Sequence, residues 1–155
     1  MSDPDVFSAD EGGTGGHHAY GPDGPGLGMP DGFSRSIGMH MEEVSGSRVT
    51  GWVDVGPEHL QPGSIVHGGV YAAVVEEAAS YGASYAVRDR GQRVVGVANT
   101  TNFIRSVTGG RILVEATPIQ QGRTQQFWEV RMTRASDGAL VALGHLRLQN
   151  LEPRS

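Results

Sequence analysis

The chain has neither cysteine nor lysine among its 155 residues. Without cysteine it can build no disulfide framework, zinc ribbon, iron–sulfur site or thiol nucleophile. All 12 basic residues are arginine, a bias that a GC-rich genome accounts for without any functional demand for guanidinium. No apolar run approaches the roughly 18 residues of a bilayer-spanning helix, and no basic stretch followed by an apolar one opens the chain. The expectation is a cytoplasmic protein with no membrane segment. Excess charge is also confined. Residues 1–30 hold five acids and no arginine, so the remainder carries 12 arginines against 12 acids and the net charge of −5 lies in the first 30 residues. A balanced domain argues against a nucleic-acid partner, which calls for a basic excess.

What is present divides into two parts. Residues 1–30 contain eight glycines and four prolines, including the run Gly21-Pro22-Asp23-Gly24-Pro25-Gly26. Such a segment buries too little apolar surface to offset its ordering entropy, and it reads as a disordered tail. His17-His18 falls inside it with no third ligand nearby, so no metal is expected. Residues 31–152 read as one domain without an internal repeat.

Within that domain, period-two patterns predict strands over Ser36–Val44, Arg48–Val55, Arg93–Phe103, Arg111–Gln120, Gln125–Arg134 and Leu140–Leu148. The separators Gln121-Gly122-Arg123 and Ser136-Asp137-Gly138 are hairpin-like. Pro118 predicts a local edge or bulge, because proline cannot donate to a ladder. One long helix is predicted over Gly69–Val87. About six strands and one apolar helix predict an α+β domain in which a curved antiparallel sheet wraps a central helix. One helix covers only one face of the sheet, so association of subunits is expected.

The chemistry-bearing residues cluster around the helix entry. Gly68 and Gly69 lie where the first-turn N–H groups have no internal partner and the helix dipole is positive. Glycine lets a ligand oxygen approach those donors, as an oxyanion site requires, although a glycine turn before a helix is also ordinary. His67 before the pair fits either a capping residue or a catalyst. Glu76 and Glu77 project about 100° apart on the helix and cannot share one environment. The helical neighbours of Glu76 are Ala72, Ala73, Ala79, Ser80 and Ala83, all small; those of Glu77 include Val70, Val74 and Tyr81, which read as core. A carboxylate in a partly dry setting has a raised pKa and a reactive lone pair. Glu76 lies nine residues after His67, on the order of 13 Å along one helix. If both serve one site, the helix of one subunit must meet the His67–Gly69 turn of another.

These residues resemble the hotdog-fold acyl-CoA thioesterases, in the branch containing the phenylacetate-pathway, Arthrobacter-type 4-hydroxybenzoyl-CoA and dihydroxynaphthoyl-CoA enzymes. The carriers are Pro57-Glu58-His59-Leu60-Gln61-Pro62, Val66-His67-Gly68-Gly69, Glu76, Ser80, Asn102-Phe103-Ile104-Arg105-Ser106 and Ala116–Thr124. The resemblance implies a hotdog fold and a homo-oligomer, commonly a dimer of dimers, with active sites between subunits. It implies hydrolysis of an acyl-CoA thioester, of an aromatic or medium-size acyl group, without a cofactor. Glu76 aligns with the catalytic carboxylate and Gly68 with the backbone donor to the thioester oxygen. Gln61 and His67 align with groups that orient the substrate, and Ser80 with the residue holding water or the carboxylate. Glu at the acid position is similar to the 4-hydroxybenzoyl and dihydroxynaphthoyl types, whereas the phenylacetate types carry Asp. Gly69, Arg105, Arg123 and Thr124 are expected to contact substrate or CoA, with Arg111 a further candidate for its phosphates. Two other readings stand beside this one: an acyl-CoA-binding module without turnover, and a hydratase, whose Asp/His motif is absent from the sequence.

Overall fold

The computed structural model describes residues 32–153; the expected tail, with His17-His18, lies outside them. Element order is α1 (Phe33–Ile37), β1 (Met39–Val44), β2 (Val49–Val55), α2 (Gly68–Val87), β3 (Arg93–Phe103), β4 (Gly110–Gln121), β5 (Gln125–Arg134) and β6 (Leu140–Leu151). Short 3-10 turns occupy Pro57–His59 and Arg88–Arg90. All six strands form one antiparallel sheet in the order β1-β2-β4-β5-β6-β3, with α2 packed across it. This is the sheet around a central helix that the sequence predicted, the hotdog arrangement that the resemblance implied.

The alternation read from the sequence governs the core. Val49, Gly51 and Val53 of β2 are buried while Asp54 is exposed. On β5, Gln126, Trp128, Val130 and Met132 point inward. Trp128, Val130 and Met132 meet Val74, Val75, Ala78, Ala79 and Ala83 of α2 in a single apolar cluster. The small side chains let the helix lie close to the sheet. A methyl added at Gly82 would overlap the Trp128 ring, and one at Gly144 would overlap Val75.

Two boundaries differ from expectation by three residues, and those of β2, α2 and β4 by one. Residues 36–38 are not strand: Phe33–Ile37 is a helical turn between Gly32 and Gly38, which take left-handed φ values of 70° and 65°. The period-two pattern ran through this turn because one helical turn offers too few residues for a helical period to show. The last strand continues to Leu151 rather than stopping at Leu148. Pro118 acts as proline must: β2 pairs with β4 only as far as Ala116, and the β4–β5 register shifts between Pro118 and Gln120.

Candidate active site

The segment from Gly56 to His67 delivers the chain to the start of α2. His59 is buried; its Nδ1 accepts from the Gly56 N–H at 3.0 Å and its Nε2 lies 3.2 Å from the Ser36 carbonyl. The His59 carbonyl accepts from the His67 N–H at 2.8 Å, and Val66 N–H donates to Val107 at 2.8 Å. Gln61 is half-buried within the tight turn this makes, its N–H bonded to the Ile65 carbonyl at 2.9 Å.

His67 is the N-cap of α2. Its Nδ1 accepts the Gly69 N–H at 2.8 Å, which requires an unprotonated Nδ1 and leaves the proton of the neutral ring on Nε2, on an exposed side chain. The two glycines therefore differ. Gly69 has its amide occupied by the cap, whereas the Gly68 N–H makes no hydrogen bond among the described residues. Gly68 lies against the ring of Phe103 at the end of β3; a Cβ there would come within 2.8 Å of that ring. Phe103 is 60% exposed and its ring centroid lies 5.9 Å from that of Tyr71. Tyr71, Tyr81 and Trp128 are buried core, whereas Phe103 is open to solvent.

The adjacent glutamates are separated by helical phase. Glu76 lies on the flank of α2 that faces β3, exposed in the single chain. Its Oε2 accepts from Asn99 Nδ2 at 3.3 Å, and the same amide donates to the Ala72 carbonyl at 3.0 Å. Thr101 Oγ1 donates to Asn99 Oδ1 at 2.8 Å, which fixes the amide's orientation. The other oxygen of Glu76 occupies the space that a side chain at Gly96 would fill. Ser80 is half-buried one turn further along the same face. Asn99, Thr101 and Gly96 were not foreseen as neighbours of the acid. The available signal was the polar run Asn99–Asn102 after Gly96 in a strand otherwise rich in valine.

Glu77 is the dry carboxylate. It is only 6% exposed, and burial pushes its carboxyl up to about 7, with the Ser34 hydroxyl on α1 drawing it partly back. Neither oxygen has a partner at full hydrogen-bond geometry among the described residues, so the Ser34 hydroxyl offsets burial only in part. The dry setting anticipated for a helix acid thus falls on Glu77, whose neighbours Val74 and Tyr81 are core, while Glu76 is exposed in the single chain.

The arginines divide as well. Arg111 is engaged by Asp54 through bonds of 2.7 and 2.8 Å and lies over the Trp52 ring. The Arg105 guanidinium donates to the Leu140 carbonyl at 2.8 Å. Arg123 and Thr124 are exposed in the β4–β5 turn, and no side-chain bond of Arg123 is present among the described residues. They lie at the far end of the sheet from Gly68. Gln61, His67, Gly68 and Phe103 come together at one end of α2, and Glu76 stands with Asn99 and Gly96 about two turns away.

A free backbone donor at a helix start and an oriented carboxylate are the parts that acyl transfer requires. In one chain they are separated by eight residues of helix, about 12 Å. The model of the thioesterase superfamily matches residues 63–141, which include both parts.

The chain belongs to the thioesterase superfamily.

Other members bear this out. The thioesterase-superfamily chain is 40% identical over 136 residues to a Mycobacterium tuberculosis protein that carries the provisional name of an esterase, covering 86% of this chain and 96% of that one. The solved structure of that protein superposes with a TM-score of 0.76, over 79% of this chain and 98% of the other. The structure of AziG from S. sahachiroi matches at 40% identity and a TM-score of 0.75, over 81% and 98% of the two chains. A 1,4-dihydroxy-2-naphthoyl-CoA thioesterase of Arabidopsis thaliana is 34% identical over 100 residues, 64% of this chain and 62% of its own. Thioester hydrolysis is the chemistry that this membership supports. No helix of the described residues is long and apolar enough to cross a membrane.

Proposed function

We propose that the protein hydrolyses an acyl-CoA thioester at sites shared between two copies of the chain, Glu76 coming from one and Gly68 from the other. The observation that carries this reading is strand β3. Among the described residues it forms one edge of the sheet and pairs only with β6. Nine of its eleven residues are exposed, among them Val95 and Val97, and it has no lysine or proline to discourage another strand. Gly96 and Asn99, which hold the Glu76 carboxylate, and Phe103, which covers Gly68, all lie on this edge.

A second β3 pairing antiparallel with the first, about a two-fold axis close to Asn99 and Thr100, brings the Phe103 end of the partner strand beside the Gly96 end of this one. The partner's Gly68 N–H then comes towards Glu76, closing the distance that one helix cannot close. Water or the Glu76 carboxylate adds to the thioester carbonyl, the oxyanion accepts from the Gly68 N–H, and the C–S bond breaks to release the thiol of CoA; the free acid forms at once when water is the nucleophile, or when water then hydrolyses the acyl–Glu76 anhydride. Glu76 serves either as nucleophile or as the base that activates water. Ser80, Gln61 and His67 line the approach, with His67 Nε2–H as an outward donor. Arg123, Thr124 and Arg105 are the groups for the CoA moiety, Arg123 foremost because its guanidinium is uncommitted. The glutamate at position 76 and the naphthoyl-CoA thioesterase among the relatives favour an aromatic acyl group. The reaction is placed in the cytoplasm.

A colorimetric thiol-release assay with benzoyl-, phenylacetyl- and straight-chain CoA esters tests this. Wild type is expected to turn over at least one, Glu76→Ala and Glu76→Gln to lose about 10²–10⁴-fold in rate, and Glu77→Ala to remain active. Binding of these esters without turnover by wild type would instead identify a binding module.

A further inference from the structure

Two buried polar side chains, Gln126 and Asn150, take no part in the chemistry above, and they lie beneath the β4–β5 turn. Asn150 Nδ2 donates to the carbonyls of Gly122 and Arg123, each at 3.1 Å. The Asn150 N–H donates to the Thr124 carbonyl at 2.8 Å. One residue of β6 thus turns three successive carbonyls of the turn inward. In a trans peptide the N–H of the next residue points the opposite way, so the amides that follow these carbonyls face outward. Those of Arg123 and Thr124 make no hydrogen bond among the described residues. The turn's outer surface therefore offers backbone donors beside the exposed Thr124 and Arg123, a set of groups suited to an anion.

The orientation of Asn150 is itself locked. Its Oδ1 accepts from Gln126 Nε2 at 3.0 Å, and that nitrogen also donates to the Ala83 carbonyl of α2 at 3.1 Å. Gln126 Oε1 accepts from Trp128 Nε1 at 3.0 Å and from Gln121 Nε2 at 3.3 Å. Flipping either amide would set oxygen against oxygen, so each holds the other in place.

We infer that Asn150, held by Gln126, is a positioning residue that shapes the Gly122–Thr124 turn into a seat for a phosphate of the CoA nucleotide. This rests on the acyl-CoA reading above, which puts CoA at this turn, and adds to it the buried residue that holds the turn in shape. Asn150 touches no substrate atom; it acts by presenting the turn's amides.

The test compares the best CoA ester with the same acyl group on pantetheine, which lacks the nucleotide and its phosphates. Asn150→Asp keeps the shape but puts a carboxylate oxygen against the two carbonyls. It is expected to raise KM for the CoA ester about tenfold, to leave kcat within about twofold, and to leave kcat/KM for the pantetheine ester at the wild-type value. Equal losses with both esters would reduce Asn150 to a structural role and overturn the inference. So would an unchanged KM for the CoA ester while Arg123→Ala raises it. If Arg123→Ala also left that KM unchanged, the placement of CoA at this turn would itself be wrong, and the inference would fall with it. Asn150→Ser, which keeps one donor, carries the same comparison should the Asp variant not fold.

Discussion

Helix α2 has two flanks, and both meet a glycine of the sheet or use one to meet it. On the flank towards β5 and β6, Gly82 accommodates the Trp128 ring and Gly144 accommodates Val75. On the flank towards β3, Gly96 accommodates a carboxylate oxygen of Glu76. The device is the same and the occupant differs. Hydrocarbon in the gap closes the first flank into core. A carboxylate in the gap, steadied by Asn99, leaves the second flank polar and open along an unpaired strand edge. A small residue opposite a helix thus signals close approach, and the atom that approaches decides whether the result is packing or chemistry.

The contrast can be broken most severely on the open flank. Val97→Lys places a charge in the middle of β3, where a second copy would set a like charge close by. Sedimentation is expected to show separated chains, and thiol release to fall by more than about a hundredfold although each chain stays folded by circular dichroism. Retained activity in separated chains would mean that the open flank is complete without a partner.

On the closed side, Glu77 sharpens the contrast with its neighbour. Its pKa is raised from 4.5 to about 7 in the folded chain. Below pH 4.5 both folded and unfolded states hold the proton and the residue costs nothing. As pH rises from 4.5 to 7 the unfolded chain ionises first, so stability falls, by about 3 kcal/mol in all. Glu77→Gln should remove this slope: urea denaturation is expected to show the variant more stable by that order at pH 8 and level with wild type at pH 4. A constant difference across the range would place the cost elsewhere. A smaller effect is expected from Gly82→Ala, whose methyl has no room beside the fully buried Trp128. A loss of about 1–3 kcal/mol is the usual cost of such overpacking, readable by thermal melting, with little change in KM.

Much of this was legible beforehand, and for identifiable reasons. Strands β3 and β5 begin and end where alternation and turn residues placed them, because their length gives the period several repeats. The separation of Glu76 from Glu77 followed from helical phase alone. The helical turn at Phe33–Ile37 did not, since it depends on two left-handed glycines that a polar stretch conceals. Nor did the difference between Gly68 and Gly69, which the His67 imidazole decides by taking one amide and leaving the other. Asn99 escaped because its partners lie on another element, 27 and 23 residues away in sequence. The pairing of Arg111 with Asp54 was hidden likewise by the register of β2 on β4.

The sharing of one site by two chains admits a direct measurement. Gly68→Pro deletes the amide donor at a first helical position, where the missing N–H breaks no helix bond and the ring must displace the exposed Phe103 side chain, and Glu76→Ala deletes the acid. Each variant alone should be nearly inactive. Unfolded together and refolded as mixed dimers, they should regain turnover approaching one working site per mixed dimer, since the intact Glu76 of one chain then faces the intact Gly68 of the other. Mixed dimers no more active than the two parents would contradict a site built across the subunits.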